Sequence, residues 1–274
     1  MNVFLTWNPR AEGIDAIIHG LCGSLEGICT DSSLSQDYAE PSSLNEFAKK
    51  DGDKIVITLG GDGTVFRVVQ KLAEINRLDI PILPVNLYGI GFLSELHFRQ
   101  LEEIPGLLKG QRKTKELPLY EISVKGRQKY FINDLVISTV HSTGVIDIRL
   151  SVDGMEDITI SGDGVIVSSK LGSTAYNMSA SGPVLLSENI VVTPLDPFAP
   201  VSPLVLPDTS EVKLKVTRHK ENTSMTYDGI VLEGVRDDEI TVKKSDNKVN
   251  IVRFHDENPI RDLKELMKLK AGKL

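Results

Sequence analysis

The sequence predicts an α/β domain followed by an all-β domain, and three observations carry that prediction. Strand-like and helix-like segments alternate through residues 1–117, a pattern that builds a parallel sheet covered by helices. From about residue 118 the apolar residues fall at period two instead, as they do in antiparallel strands with one buried face. The stretch IVITLGGDGTVFRVV, residues 55–69, joins a β-branched run to an amphipathic helix through glycines. The expected parts are an α/β domain over 1–117, an all-β domain over 118–255 and a C-terminal helix over 256–274.

In the first part, NVFLTW reads as a strand, residues near 12–21 as a helix, GICT as a strand and SLNEFAKK as a helix. Ile55 to Leu59 forms the next strand. Val65, Phe66, Val68, Val69 and Leu72 then recur at helical spacing, and PILPVN is strand-like again. In the second part, Ile146, Ile148, Leu150 and Val152 alternate up to Asp153-Gly154, a hairpin turn. EVKLKVT and EITVKK repeat the alternation, and SDNK before VNIVRF suggests another hairpin. The tail NPIRDLKELMKLKAGKL is helical in pattern, with Ile260, Leu263, Leu266 and Met267 on one face.

The composition is that of a globular protein: 274 residues, 41% hydrophobic and 25% charged, with a formal charge of −7. That charge argues against a protein that coats nucleic acid, which needs a broad basic face. Cys22 and Cys29 have no His pair nearby to complete a zinc site and read as reduced thiols. MNVFLTWNPR lacks the charged-then-apolar order of a signal peptide, so a cytoplasmic setting is expected, with no membrane partner.

Gly60, Gly61, Asp62 and Gly63 form the turn before the helix that holds Thr64. One reading is a tight turn with Asp62 or Thr64 as helix cap. The other is an anion site, since glycines strip side chains from a helix N-terminus and let backbone N–H groups approach a phosphate. In VNLYGIGFLSEL, Gly89 and Gly91 precede Phe92 and Leu93, either a ligand-facing bend or a core aromatic after a loop. FINDLVIS places Asn133 and Asp134 inside an apolar strand, where buried polar groups need specific partners unless the strand is an exposed edge. SGDGVIVSSKLGSTAYNMSASGP runs through a strand, Val165 to Val167, into small hydroxylated residues at a helix start. Asp163, Tyr176 and Pro183 make that segment a poor linker. In MTYDGIVLEG, Asp228-Gly229 reads as a hairpin turn.

Taken in order, GGDGT, YGIGFLSE, the Asn-Asp pair, DGVIVSSKLGSTAYNMSASGP and the late YDG resemble the NAD kinase family over nearly the whole chain. GGDG alone is shared with diacylglycerol and sphingosine kinases, whereas GSTAY followed by SxSGP is far more specific. The resemblance implies a Rossmann-like N-terminal α/β domain, a C-terminal antiparallel β domain, and NAD bound between them. It also implies transfer of a phosphoryl group from ATP, or polyphosphate, to the 2′-hydroxyl of the adenosine ribose with Mg2+ or another divalent cation. A homodimer or homotetramer is expected, often with a neighbouring subunit completing the site.

By that resemblance Asp62 is the catalytic residue, and Gly60, Gly61, Gly63 and Thr64 hold phosphates. Phosphoryl transfer asks chiefly for positioning and charge neutralisation, so Asp62 would orient the hydroxyl and accept its proton late. Phe92 and Leu93 would lie near the adenosine, and Asn133 and Asp134 would bind NAD through the adenine or its ribose. Thr174 and Ala175 would line the adenine pocket, Asp163 and Ser179 would meet the nicotinamide nucleoside, and Tyr176 would stand near a subunit boundary. Three departures from the family pattern stand out. Asp134 replaces a Glu, which shortens its reach by roughly 1.5 Å, more than a hydrogen bond tolerates. Ser169-Lys170-Leu171 replaces Thr-Pro-Thr, with Lys170 a possible phosphate contact, and Ser202 replaces an Arg. The competing readings are an NAD-binding sensor with little turnover and a lipid kinase.

Overall fold

The computed structural model describes residues 1–34, 38–87, 93–110, 112–140, 145–218, 223–232 and 238–254. It divides into two compact units, one of Met1–Leu117 with Lys248–Leu274 and one of Pro118–Asn247.

The first unit is built from β1 (Asn2–Trp7), α1 (Ile14–Ser24), β2 (Ile28–Asp31), β3 (Glu40–Ser42), α2 (Leu44–Lys49), β4 (Lys54–Gly60), α3 (Asp62–Glu74), β5 (Ile82–Asn86), β6 (Leu96–His97) and α4 (Ile104–Lys109). Its strands lie in the order β3-β2-β1-β4-β5, every pair parallel. β1 and β4 are buried along nearly their whole length, which is why NVFLTW and KIVITLG show no alternation. α2 starts at a capping box: Ser43 Oγ accepts from the Glu46 N–H, and the Glu46 carboxylate accepts from the Ser43 N–H. α3 buries Val65, Phe66, Val68, Val69 and Leu72, the residues whose spacing predicts it. At about 1.5–3 kcal/mol for each such side chain, that face fixes where the helix begins.

The second unit holds β7 (Lys113–Val124), β8 (Arg127–Phe131), β9 (Asp134–Thr139), β10 (Ile146–Val152), β11 (Ile158–Gly162), β12 (Gly164–Ser169), α5 (Tyr176–Ser179), β13 (Asn189–Leu195), β14 (Leu204–Pro207), β15 (Val212–Arg218), β16 (Thr223–Tyr227), β17 (Ile230–Val231) and the start of β18 (Ile240–Arg253). β11-β10-β15-β18 and β14-β13-β12-β9-β16-β17 run antiparallel throughout. Ile146, Ile148 and Leu150 from the first set and Leu135, Val165, Val167 and Val192 from the second share one apolar core. This is an N-terminal α/β unit with a C-terminal antiparallel β unit, the fold class the sequence predicts.

Two expectations change. SDNK makes no hairpin, because β18 runs unbroken for 14 residues. Ile240 and Val242 sit in the core of the second unit, while Ile251 pairs in parallel with Ile82 of β5 in the first. A hairpin would fold back on each other two apolar ends that belong to different units. Asn133 and Asp134 do not lie within one strand either. β8 ends at Phe131, Ile132 and Asn133 bend, and β9 begins at Asp134. The tail helix expected over 256–274 lies outside the described residues, as does Phe92.

Candidate functional site

In the first unit the site begins where β4 hands over to α3. Gly60 has φ 156°, and a Cβ there would strike the Thr64 hydroxyl, so this glycine is needed by the turn itself. Gly61 and Gly63 differ: among the described residues no atom lies within 4 Å of a Cβ placed on either. No described residue forbids side chains there, and their absence leaves the N-terminal backbone of a 13-residue helix open to an anion. Thr64 is buried, and its hydroxyl accepts from Arg67 at 3.4 Å. Gly61, the N-cap of α3, has no side chain to cap it, and Asp62, the first helical residue, is half-buried. The Asp62 Oδ1 accepts the backbone N–H of Leu93 at 3.2 Å, which ties GGDG to the GFLSEL segment.

In the second unit the site is the bend at Ile132 and Asn133. The Asp228 carboxylate holds it by accepting the N–H groups of Ile132 and Asn133, each at 2.8 Å, and of Asp134 at 3.3 Å. The Asn133 carbonyl accepts from the Ser169 N–H at 2.9 Å. The Ser169 hydroxyl donates to the Ile132 carbonyl and accepts from the Gly172 N–H. Gly172 packs so closely on the Asn133 backbone that a Cβ would collide with its carbonyl. The Asn133 main chain is thereby clamped from both sides, while its Oδ1 is buried with no hydrogen-bond partner among the described residues. An orphaned buried acceptor costs about 1–3 kcal/mol.

The two carboxyls of this bend share a low-dielectric pocket. Burial lifts Asp134 to about 6. Burial also lifts Asp228 to about 7, opposed by the N–H donors of Ile132 and Asn133 and reinforced by the charge of Asp134. Sequence reasoning took Asp228-Gly229 for a hairpin turn. It is one, with φ 47° and 75° between β16 and β17, but the turn also aims the carboxylate at a bend about a hundred residues earlier. No local spacing announces that.

The Ser-Gly-rich segment divides between frame and surface. Asn177 is fully buried, donates to the carbonyls of Ser173 and Pro183, and accepts from the Thr193 hydroxyl at 2.6 Å. It is therefore structural: Asn177→Ala strands these groups and should cost about 2–4 kcal/mol in urea unfolding, and a cost below about 0.5 kcal/mol would contradict the role. Thr174 donates to the Leu171 carbonyl, Ala175 is half-buried, and Tyr176 and Ser179 are exposed. Lys170 pairs with Glu188 at 2.8 Å. Asp163 is exposed just before β12, whereas Ser169 ends that strand. At about 3.3 Å per residue the two lie roughly 20 Å apart, so Asp163 is not gathered at the bend.

Among the described residues no three His, Cys, Asp or Glu side chains cluster to hold a metal ion, and no helix is long and apolar enough to cross a membrane.

Residues 25–111 match the model of the ATP-NAD kinase N-terminal domain and residues 132–254 that of the ATP-NAD kinase C-terminal domain. The chain is 31% identical over 245 residues to the NAD kinase of Clostridium botulinum (strain Kyoto / Type A2), covering 86% of this chain and 85% of that one. It is 32% identical over 234 residues to the NAD kinase of Aquifex aeolicus, covering 81% and 84%. Among solved structures, yeast NADH kinase complexed with NADH superposes with TM-score 0.81 at 22% identity over 97% of this chain and 87% of that one. An NAD kinase from Archaeoglobus fulgidus in complex with ATP superposes with TM-score 0.75 at 24% identity over 98% and 99%. The paired domain matches and the relatives above 30% identity show that this chain belongs to the NAD kinase family, as an enzyme that phosphorylates NAD.

Proposed function

We propose that the enzyme transfers the γ-phosphoryl group of ATP to the 2′-hydroxyl of the adenosine ribose of NAD, giving NADP, with Asp62 as the residue that engages the hydroxyl. The observation that carries this reading is the Asp62 carboxylate: it belongs to the first residue of α3, and the Leu93 N–H holds it beside the open glycine backbone. A carboxylate so held orients an attacking hydroxyl and takes its proton as the bond to phosphorus forms, while Gly61, Gly63 and the helix end receive phosphate charge. The orphaned Asn133 Oδ1 supports the other half of the reading, since the amino group of adenine is the kind of donor it lacks. Asp134, Thr174 and Ala175 belong to the same proposed adenosine contact, and Ser179 to the nicotinamide end.

The divalent cation of the family would neutralise charge on the donor's phosphates. An ion such as Mg2+ keeps several waters and needs only one or two carboxylates besides phosphate, so it fits a site with no metal cage among the described residues. Lys170 is the proposed additional phosphate contact, in competition with Glu188, and unchanged KM values for ATP and NAD in Lys170→Met would remove it. The remote placement of Asp163 accords with a second copy completing the nicotinamide end near Tyr176, and sedimentation as a stable monomer would remove that proposal.

The reaction is tested by incubating the protein with NAD, Mg2+ and either ATP or polyphosphate. The product is read with a dehydrogenase that accepts only the 2′-phosphorylated dinucleotide. The expected result is reduced NADP with ATP present. A phosphorylated NAD that the dehydrogenase does not accept would refute the 2′ position. Bound NAD without turnover on either donor would favour the sensor reading.

A further inference from the structure

We infer that Arg253 and Glu95 are positioning residues for Asp62, acting through the backbone of Leu93; the inference rests on the catalytic role proposed for Asp62. Leu93 is held at both of its peptide groups. Its N–H donates to Asp62 Oδ1 at 3.2 Å, and its carbonyl accepts from Arg253 Nη1 at 2.8 Å. The same Arg253 nitrogen meets Glu95 Oε2 at 3.3 Å, and Glu95 Oε1 accepts the N–H of Phe254 at 2.7 Å. The side chains of Arg253 and Glu95 are only 12% and 8% exposed, so solvent screens this pair little.

The brace is anchored in the sheet. Glu95 N–H donates to the Pro84 carbonyl of β5, and Ile251, two residues before Arg253, pairs with Ile82 of the same strand. Segment 93–95 is thus fastened to β5 and to the end of β18. A surface ion pair would contribute little, but this one closes a hydrogen-bonded loop around the peptide that holds the catalytic carboxylate. Arg253 Nη1 bridges the carbonyl and the carboxylate from a rigid planar group, which holds them more firmly than a lysine ammonium on a flexible stem. Without it the Leu93 peptide is free to turn, and the N–H that fixes the Asp62 carboxylate turns with it.

The test is a double-mutant cycle on the full chain, with Arg253→Met, Asp62→Asn and the pair, following NADP formation at saturating ATP. Arg253→Met should lower kcat about 10-fold or more, since small misplacements at a reacting group reach about 10²-fold, with KM for NAD changed less than about twofold. Arg253→Lys should recover part of the loss. In the Asp62→Asn background Arg253→Met should cost less than about twofold, because the carboxylate it positions is gone. Full additivity, or a loss confined to KM, would overturn the inference and leave the proposed function standing. Wild-type turnover in Asp62→Asn would overturn the proposed function and the inference with it. Should Arg253→Met fail to fold, Glu95→Gln serves in its place. It retains an acceptor for Phe254 but weakens the hold on Arg253, and a smaller kcat loss with the same non-additivity is expected.

Discussion

Asp62→Asn should lower kcat by about 10² to 10⁴-fold, the range over which a positioned proton acceptor acts, while the protein keeps its melting temperature. Asparagine preserves the shape and can still accept the Leu93 N–H, so the helix start and the GFLSEL tie survive. It cannot take a proton from a hydroxyl. A kcat within about fivefold of wild type would assign the chemistry to another group and reduce Asp62 to a loop anchor.

Asp228→Ala should be the most destabilising single change in the second unit. It removes the common acceptor of three buried N–H groups, at about 1–3 kcal/mol for each donor left unpaired, so a loss of about 3 kcal/mol or more is expected in denaturant unfolding. NAD affinity should fall with it, because the bend carries Asn133. Asp228→Asn should be milder, since its amide oxygen still accepts while its NH2 group opposes one of the donors.

The pH profile gives an independent reading. Asp228 rises from an ordinary 3.8 to about 7 and Asp134 to about 6 on folding, so the folded protein holds more protons than the unfolded chain between those values. The stability contributed by the neutral acids is fully present below about pH 3.8 and is lost as pH rises through about 6 and then 7. Asp228→Asn should therefore flatten the fall in melting temperature across that window, and an unchanged slope would show that Asp228 is not the titrating group.

What could be read from the sequence follows from which interactions are local. The helix over Val65, Phe66, Val68, Val69 and Leu72 and the alternation from Ile146 to Val152 are written in side-chain period, and the structure places both there. The Ser43-Glu46 capping box lies within four residues and marks a helix start without tertiary information. The hairpin expected at SDNK fails because turn propensity is weak beside the packing that draws Ile240 and Ile251 into different units. Asp228 holding Asn133, Gly172 packing on the same peptide and Arg253 reaching Leu93 join residues 39 to 160 positions apart, and no period or motif encodes them. Motif order could identify GGDG and GSTAY as special. It could not separate Asn177, a buried strut, from the residues around it that face outward.

On the proposed reading, chemistry and recognition reside on different groups, Asp62 for the reaction and the unpaired Asn133 Oδ1 for the dinucleotide. Calorimetric titration of NAD into Asp62→Asn and Asn133→Ala tests it most directly. The account predicts that Asp62→Asn binds within about threefold of wild type and Asn133→Ala at least about tenfold more weakly, the loss of one buried hydrogen bond at about 1.4 kcal/mol. Wild-type affinity in Asn133→Ala, or abolished binding in Asp62→Asn, would contradict it.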